Sequence, residues 1–447
     1  MASRLDDPRL LEQALFDEDL ERLLRRGDLA PADLRALMRR GVARRMGGFG
    51  RRGERGRRRP RGGQSYLLDY SAATFTRSSE AAAVDPRDGW AFYDLVTPWP
   101  GVDVLRQPEA AHALIEGGRT NLITYSADFT NAAWVKGGTP SPAVSATAAP
   151  DGGTAYDLTD NAAAHEFVEI TATLTVTGDH TVSAYFLKDS VTTRFPGLRI
   201  AAGTATLATS SSHEVHLNTQ TGATAAASGA PARVRVTDAG DWWRVSFVVT
   251  ATVTGTVVVD VLPARATTIG TPNVAAVGTA TAWGVQLEAG GFASTPIRTS
   301  GATGTRAAES CTFSPTGLPS ALLTGAFSLD VTPEFASTEI PFAQTVWIGA
   351  RGVTNGFLGP NNSVGGIRFR GPSGFVDRVC TWSAGQTLTI TVDHAAGTLT
   401  VAGATTGNGT STGTATGGWT GLTSLDVALN AATGERGFSL LSQPRAA

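Results

Sequence analysis

Residues 167–187 read FVEITATLTVTGDHTVSAYFL and contain two stretches in which apolar and polar residues alternate. Apolar side chains occupy every second position in 167–176 and again in 181–187, which is the spacing of β-strands with one buried face. Gly178 and Asp179 stand between the two stretches and favour a turn. The segment therefore predicts two short strands joined by a turn, each contributing one face to a hydrophobic core.

Strand patterns of this kind continue through most of the chain. In the first part they are followed by 233–236, 243–249, 256–262 and 282–287, and strands at this spacing predict a β-sandwich at 121–305. A second set comprises 327–331, 345–348, 367–369, 387–392, 398–401 and 425–429, with a short hairpin loop at 393–397. This set predicts a second sandwich at 306–447, and the boundary falls in the Gly- and Thr-rich stretch near 300–310.

The composition is that of a multi-domain, mainly β protein. Of the 447 residues, 52 are Gly, 17% are charged and 41% are hydrophobic. This length exceeds what one hydrophobic core normally serves, and the apolar fraction excludes disorder of the whole chain. No apolar run approaches the roughly 18–20 residues of a membrane span, and the amino terminus lacks a secretory pattern. We therefore expect no membrane span and synthesis in a cytoplasm.

The first 46 residues predict a helical hairpin. Asp7 and Pro8 suit a helix start, Gly27 suits its end, and a second helix begins near Pro31. Because so small a pair of helices has too little core to stand alone, we predict that it forms an arm that docks on another protein. The attachment residues proposed from their helical spacing are Leu11, Leu15, Leu20, Leu24, Leu34 and Leu37.

A Gly- and Arg-rich linker is predicted at 47–63. Residues 1–61 hold 17 Arg against 10 acidic residues, a local charge of +7, although the whole chain carries −2. One interpretation is contact with nucleic acid or an acidic protein through Arg57, Arg58 and Arg59. The alternative is a solvated linker whose charge keeps it extended. Phe49 is the only aromatic residue in the linker at 47–63, which argues against sequence-specific reading of nucleic acid.

Residues 64–120 combine four prolines with seven aromatic residues. Leaving so much aromatic area in water would be unfavourable. We therefore predict a packed but irregular collar segment at 64–120 rather than an open linker.

Patterns that would carry catalysis or bind a metal are weak. His213 and His216 are three residues apart, and on a strand such residues point to opposite faces, so we predict surface polar residues and no metal site. A nucleophile-elbow sequence is absent, and carboxylates such as Asp377 are equally expected on any soluble surface. We therefore predict a protein that is not an enzyme and has no cofactor. Cys311 and Cys380 show no CxxC spacing, which favours two buried free thiols over one disulfide.

Short motifs occur in a fixed order between residues 75 and 297. They are FTRSS at 75–79, LIEGGRTNL at 114–122, YSADF at 125–129, NAAW at 131–134, APDG at 149–152, VSAY at 182–185, DWWRVS at 241–246 and WGVQLE at 283–288. In this order they resemble a module of tailed-phage and prophage structural proteins: tail fibres, minor tail proteins and head or tail spikes. The resemblance implies a jelly-roll sandwich like those of carbohydrate-binding modules. Two departures are Trp243, where the family often carries Tyr, and TPIRT at 295–299 in place of Tyr-Ile-Pro-Thr.

Residues 311–447 more loosely resemble a concanavalin-type or laminin-G-like sandwich. The runs WSAGQ at 382–386 and NGT at 408–410 are similar to those on spikes of phages and phage-derived gene-transfer particles. Jelly-roll modules often bind a structural calcium ion, but no dense acidic loop identifies such a site here. The first 63 residues resemble no family.

Sugar recognition requires flat apolar faces against pyranose rings together with fixed amide and carboxylate hydrogen bonds. Trp242 and Trp243 are neighbours on a strand, so one points inward and one outward, and the resemblance favours a core role for Trp242. The residues predicted to bind carbohydrate are Trp382, Trp419, Asn361, Asn362, Asp377 and Trp243.

The resemblance implies a virion spike or fibre, assembled in the bacterial cytoplasm. Such a protein joins a capsid vertex, portal or tail through its arm and binds bacterial surface polysaccharide through its sandwiches. Symmetric assembly is expected because weak sugar sites gain avidity when clustered; a trimer suits a tail fibre and a pentamer a capsid vertex. Nucleic acid is expected as a partner only through the arginine-rich segment. Two alternatives stay open: a connector or decoration protein without glycan binding, and a capsule-degrading glycan hydrolase.

Overall fold

A computed structural model describes residues 118–427, with gaps at 139–141, 163, 308–309, 317, 334–335, 340–346, 354–355, 362 and 364. It also describes four strands outside that range, at 74–76, 112–115, 439–442 and 445–446. The chain divides into two units, Met1–Gly63 and Gln64–Ala447, and the predicted arm and linker in the first unit lie outside the described residues. The described part is mainly β, which confirms the fold class predicted for it. It contains no helix long and apolar enough to span a membrane.

The described secondary structure is almost entirely short antiparallel strands. The strands are β1 (Thr74–Thr76), β2 (His112–Ile115), β3 (Arg119–Asn121), β4 (Val135–Gly137), β5 (Ala143–Val144), β6 (Tyr156–Asp160), β7 (Phe167–Leu174), β8 (Gly178–Leu187), β9 (Phe195–Ala202), β10 (Thr206–Leu207), β11 (Ser212–Leu217), β12 (Thr224–Ser228), β13 (Ala232–Ala239), β14 (Trp242–Val253), β15 (Gly255–Ala266), β16 (Gly278–Ala289), β17 (Gly304–Arg306), β18 (Ser310–Phe313), β19 (Ala326–Pro333), β20 (Ile348–Arg351), β21 (Gly356–Asn361), β22 (Gly366–Gly371), β23 (Gly374–Val379), β24 (Leu388–Asp393), β25 (Thr398–Ala402), β26 (Gly409–Thr412), β27 (Ser424–Val427), β28 (Ser439–Ser442) and β29 (Arg445–Ala446). A helical turn, α1 (Ser320–Leu323), and a 3₁₀ turn (Ser337–Glu339) accompany them.

Residues 118–306 form a first sandwich of two antiparallel sheets. Sheet A has the strand order β12-β11-β9-β15-β7-β4, and sheet B has the order β10-β14-β8-β16-β6-β5, with β13 also paired to β14. The two strands predicted from residues 167–187 are β7 and β8, and they lie in different sheets. The turn before Gly178, whose φ of 100° favours glycine, therefore carries the chain from one layer to the other.

The two sheets pack face to face through alternating apolar residues, as the sequence pattern predicts. The buried core includes Val168, Ile170 and Leu174 of sheet A with Val245, Phe247 and Val249 of sheet B. Burial of each such side chain stabilises the fold by about 1.5–3 kcal/mol relative to exposure. The opposite face of each sheet is thereby left for polar and charged residues.

Two of the motifs that carry the family resemblance meet around Asn121, which is fully buried. Its Nδ2 donates to Val285 O at 3.3 Å and Ile297 O at 2.9 Å. Its Oδ1 accepts from the amides of Ile123 at 3.1 Å and Leu287 at 3.2 Å. One amide side chain thus satisfies four backbone groups that come from both ends of the first sandwich.

A second part of this network centres on the buried carboxylate of Glu288. The carboxylate accepts from Gln286 Nε2 and from Ser294 N and Oγ, each at 2.7 Å, and pairs with Arg119 at 3.7 Å. β3 and β17 also pair with each other, so the two ends of the first sandwich lie side by side. The motif residues at 119–122 and 283–288 therefore close this domain.

The second sandwich draws strands from both sides of the first. Sheet C has the order β1-β18-β27-β20-β21-β22-β23, and sheet D has the order β2-β28-β19-β24-β25-β26, with β29 paired to β19. The predicted loop at 393–397 joins the paired strands β24 and β25. β1 and β2 lie within the range predicted as a collar and pair with β18 and β28. The first sandwich is therefore inserted in sequence between β2 and β18 of the second.

An aromatic cluster fills the core of the second sandwich. The ring of His394 lies 5.0 Å from Phe369, 5.0 Å from Trp419 and 5.9 Å from Phe327 between ring centroids. Burial lowers the pKa of His394, so the neutral imidazole is favoured there. Cys380 is a buried free thiol, and burial raises its pKa to about 11.

Candidate functional site

Trp382 and Trp419, which were predicted to stack on sugars, lie in the core and are 2% and 0% exposed. Trp419 Nε1 donates to Arg370 O at 3.0 Å, and its ring lies 5.6 Å from that of Phe369. The Trp382 ring packs 6.5 Å from Trp347. Since neither indole presents a face to solvent, stacking of a glycan on either ring would require the sandwich to open.

The polar residues predicted in the second sandwich have internal partners. Asn361 is buried, and its Oδ1 accepts from Ser363 N at 2.9 Å and Ser363 Oγ at 2.6 Å. Both carboxylate oxygens of Asp377 accept from Arg368, through Nε and Nη2 at 2.7 Å each. Asn362 lies outside the described residues. These contacts occupy the side-chain oxygen of Asn361 and both carboxylate oxygens of Asp377 within the second sandwich.

Trp243 is half-buried on β14 and its ring is covered by neighbours from its own sandwich. Lys188 Nζ lies 4.1 Å from the ring centroid, and Trp243 Nε1 donates to Thr219 O at 2.9 Å. Gly222 packs so closely that an added Cβ would lie 3.1 Å from the ring. The neighbouring Trp242 is buried as well, but it lies on the other face of sheet B in a cluster with Tyr185 and Trp283, whereas Trp243 packs against the core between the two sheets; the expectation that Trp242 points into that core is therefore wrong.

His213 and His216 were expected at the surface, and that expectation is wrong because both are buried, as is Glu214 between them. His216 Nε2 lies 2.7 Å from Glu214 Oε1, whereas His213 Nε2 lies 3.1 Å from Ala208 O. Arg265 donates hydrogen bonds to the Glu214 carboxylate from Nε at 2.7 Å and from Nη2 at 3.2 Å. The opposite charges of Glu214 and Arg265 satisfy each other here, which explains how the Glu214 carboxylate can be buried on the outer face of sheet A.

A charged row crosses the outer face of sheet A, and we define it as Glu169, Asp260, Arg199 and Glu214. These residues stand directly opposite one another on β7, β15, β9 and β11. Arg199 Nε donates to Asp260 Oδ2, while Asp260 Oδ1 is buried without a hydrogen-bond partner. In the described residues, no group of three or more His, Cys, Asp or Glu is placed to hold a metal ion.

The environment shifts the pKa values of the two buried carboxyls of the charged row in opposite directions. Burial opposes ionisation of Glu214, but hydrogen bonds from His216 and Arg265 outweigh it and lower the pKa of the carboxyl to about 2. Burial raises the pKa of Asp260 to about 6 despite the hydrogen bond from Arg199. Glu169 adds to this rise because a second carboxylate nearby disfavours ionisation.

The outer face of sheet B carries a different kind of polar surface, which we call the Arg244 face. Residues directly opposite on antiparallel strands share a face. The register aligns two rows: Thr237, Arg244, Tyr185 and Trp283 in one, and Arg235, Ser246, Ser183 and Gln286 in the other.

Arg244 is 6% exposed and lies over Tyr185, with Cζ 5.3 Å from the ring centroid. Tyr185 in turn packs edge-to-face on Trp283 at 5.2 Å. Arg244 Nη2 donates to Ser183 Oγ at 3.0 Å, and Nε is buried without a hydrogen-bond partner. In the described part of the chain, no carboxylate pairs with this guanidinium.

Two antiparallel β-sandwiches, one of them with a buried guanidinium that pairs with no carboxylate among the described residues, define the protein in structural terms. No protein-family model matches the chain, and a comparison with curated proteins found no match. Arg244 was not singled out from the sequence, although it stands within the DWWRVS motif at 241–246. The sequence feature that could have indicated it is the alternation along the strand, which places Arg244 on the same face as Trp242 and Ser246.

Proposed function

We propose that the chain is a virion structural protein, of spike or fibre type, that binds bacterial surface polysaccharide through its first sandwich without cleaving it. The particle role rests on the resemblance of the ordered motifs to phage structural proteins, and two of these motifs form the frame that closes the first sandwich. A jelly-roll fold for the first sandwich and a concanavalin-like fold for the second belong to this proposal.

The observation that carries the glycan-binding part is the Arg244 face. It combines the exposed hydroxyl of Thr237, on the edge strand β13, with a guanidinium that pairs with no carboxylate among the described residues, on a two-layer β-domain. Polysaccharides are recognised by fixed polar groups of this kind arranged on a rigid scaffold. Weak individual sites would gain strength from symmetric assembly, as a trimer or a pentamer.

The test is equilibrium binding of the full chain to cell-surface polysaccharides purified from candidate hosts. We expect saturable binding without release of oligosaccharides. Absence of binding to every polysaccharide, together with normal incorporation into particles, would favour the structural connector. Release of oligosaccharides would identify a glycan hydrolase.

A structural connector is the second candidate, and it is favoured by the charged row on sheet A. Arg199 is paired with Asp260, and Glu214 with Arg265, within the sandwich, so these charges serve the fold. The same holds for Asp377, which is fully engaged by Arg368.

A further inference from the structure

We infer that the open face of strand β23 binds an acidic sugar, which stacks on Phe375 and places its carboxylate on Arg370. The inference rests on the proposed function and adds to it a contact in the second sandwich. Its starting point is the exposure of two apolar side chains of this strand, since Phe375 is 47% exposed and Val379 is 65% exposed. Apolar side chains that share one open strand face form a surface that a ligand can cover.

The residues around Phe375 come from two neighbouring strands of sheet C. Arg370 of β22 stands directly opposite Phe375 of β23, and Arg368 stands directly opposite Asp377. Such residues share a face, and it is the outer face, because Val376 between Phe375 and Asp377 lies in the hydrophobic core. We define the Phe375 face as Arg368, Arg370, Phe375, Asp377 and Val379.

The ring of Phe375 is held in place by an ion pair beside it. Arg368 Cζ lies 4.2 Å from the ring centroid, and the same guanidinium donates to both carboxylate oxygens of Asp377 at 2.7 Å each. About half of the ring stays open to solvent while its orientation is fixed. A sugar that stacks on this ring therefore finds a flat apolar surface that is already ordered.

Arg370 supplies the charge that selects an acidic sugar. Its guanidinium pairs with no side chain among the described residues, and none of its nitrogens is both buried and without a hydrogen-bond partner, so its open donors reach solvent. Trp419 Nε1 donates to Arg370 O at 3.0 Å and fixes the backbone beneath the site. Because Arg368 and Asp377 neutralise each other, the charge left on the Phe375 face is the single positive charge of Arg370, which one carboxylate matches.

The edge of β23 favours a sugar over a peptide. β23 is the last strand of sheet C, and peptides commonly bind at such an edge through backbone hydrogen bonds. Here Phe375 O already accepts from Thr414 N at 3.2 Å, and Arg378 Nε donates to Gly407 O at 2.7 Å, so neighbouring segments occupy the edge. Recognition is left to side chains of the open face, where Phe375 and Val379 are about 13 Å apart along the strand and suit a chain of sugars.

The experiment titrates the full chain with a short glucuronate oligomer and with the same oligomer after reduction of its carboxyl groups to alcohols. A short oligomer is used because a polymer would bridge several sites and conceal the loss of one contact. We expect the reduced oligomer to bind at least about threefold more weakly, as for one half-exposed ion pair. Arg370→Gln should abolish this preference for the acidic oligomer, and Arg370→Lys should retain part of it, since it keeps the charge but not the planar fork.

Phe375→Leu tests the ring separately from the charge. It keeps an apolar side chain but removes the aromatic face, so it should weaken binding of both oligomers by about threefold to tenfold. Arg351→Gln is the matched control, because it removes an exposed arginine from β20 of the same sheet, two strands away from β22, and it should leave both affinities unchanged. Thermal melts verify that each variant is folded; if one of the Phe375 and Arg370 variants is not, the other decides.

Equal affinity of the parent for the two oligomers, or a preference for the acidic one that survives Arg370→Gln, would overturn the inference. So would an equal loss in Arg351→Gln, which would indicate a general attraction between charges. If the parent does not bind the acidic oligomer but binds polysaccharides of candidate hosts, the inference fails while the proposed function stands. If the parent binds no polysaccharide of any kind, the proposed function fails as well.

Discussion

Arg244 and Arg265 are both arginines on strands of the first sandwich, yet they meet opposite electrostatic environments. Arg265 holds the buried carboxylate of Glu214, whereas the contacts of the Arg244 guanidinium with described residues are a serine hydroxyl and an aromatic face. Removing one partner of a buried pair leaves a bare charge, but removing a charge without a partner relieves desolvation. The same residue type is therefore expected to have opposite effects on stability at the two positions.

We predict that Arg265→Met lowers the free energy of unfolding by about 3–5 kcal/mol, because the buried carboxylate of Glu214 loses both hydrogen bonds from the guanidinium and keeps only the contact with His216. Arg244→Met should be neutral or raise it, by up to about 4 kcal/mol. Urea denaturation of the parent and both variants in ligand-free buffer measures the differences. A loss for Arg244→Met as large as that for Arg265→Met would show that Arg244 has an internal counter-ion.

The raised pKa of Asp260 has a consequence for stability. Between its ordinary pKa of 3.8 and its folded value of about 6, the folded state holds a proton that the unfolded state has released. Stability contributed by this group is therefore complete below pH 3.8 and is lost as the pH rises towards 6. The buried His394 acts in the opposite sense, because its pKa is lowered and stability falls as the pH drops.

We predict that Asp260→Asn removes the part of the pH dependence of stability that comes from Asp260 and leaves the part that comes from His394. The free energy of unfolding of the variant minus that of the parent should increase as the pH rises from 4 to 6. Above pH 6 this difference should be constant. Unfolding curves at half-unit pH steps give this difference directly. A difference that is flat across the window would mean that Asp260 titrates normally in the folded state.

At the scale of elements, the second sandwich depends on strands that are distant in sequence. β1 covers the edge of β18 in sheet C, and β2 covers the edge of β28 in sheet D. An uncovered strand edge presents unpaired backbone groups and promotes association. The first sandwich has no such dependence, because β3 and β17 close it with its own residues.

We predict that a fragment of residues 118–307 folds alone with a cooperative thermal transition. A fragment of residues 310–446 should melt at a lower temperature than the same sandwich in the full chain and should self-associate, because β1 and β2 are missing. Circular dichroism and sedimentation velocity test both expectations. A monomeric 310–446 fragment with undiminished stability would show that β1 and β2 are dispensable.

For the whole molecule, charge is divided between a basic amino-terminal part and an acidic remainder. Residues 1–61 carry +7 and the rest of the chain carries −9, so the two parts suit different partners. The division agrees with an arm for attachment and β-domains for recognition, which is the proposed arrangement.

We predict that deletion of residues 1–63 leaves folded, soluble β-domains that bind polysaccharide as the parent does but no longer join the particle. The apolar residues at helical spacing in the deleted part have too few companions to form a core of their own, which is the reason to expect a docking role. Occupancy of purified particles by parent and truncated protein is the measurement. Normal occupancy of the truncated protein would show that residues 1–63 are not needed for attachment to the particle.

The alternating pattern in residues such as Val168, Ile170 and Leu174 was enough to predict strands and the face that each strand buries, because strand geometry places every second side chain on one side. Local sequence also indicated the loop between β24 and β25, whose two ends are close in the chain. Such features depend on neighbouring residues alone, so the sequence by itself determined them.

The partners of each strand and the state of each polar residue were decided by the tertiary structure. Alternation does not reveal that β7 and β8 lie in different sheets, or that β1 and β2 complete the second sandwich, because pairing is set by the packing of remote segments. The sequence around Trp419 does not indicate whether its side chain is buried or exposed. Arg244 and Arg265 differ in the side chains that the fold places beside each guanidinium. Burial and charge pairing arise from residues far apart in the chain, and this is why the candidate site emerged only from the folded structure.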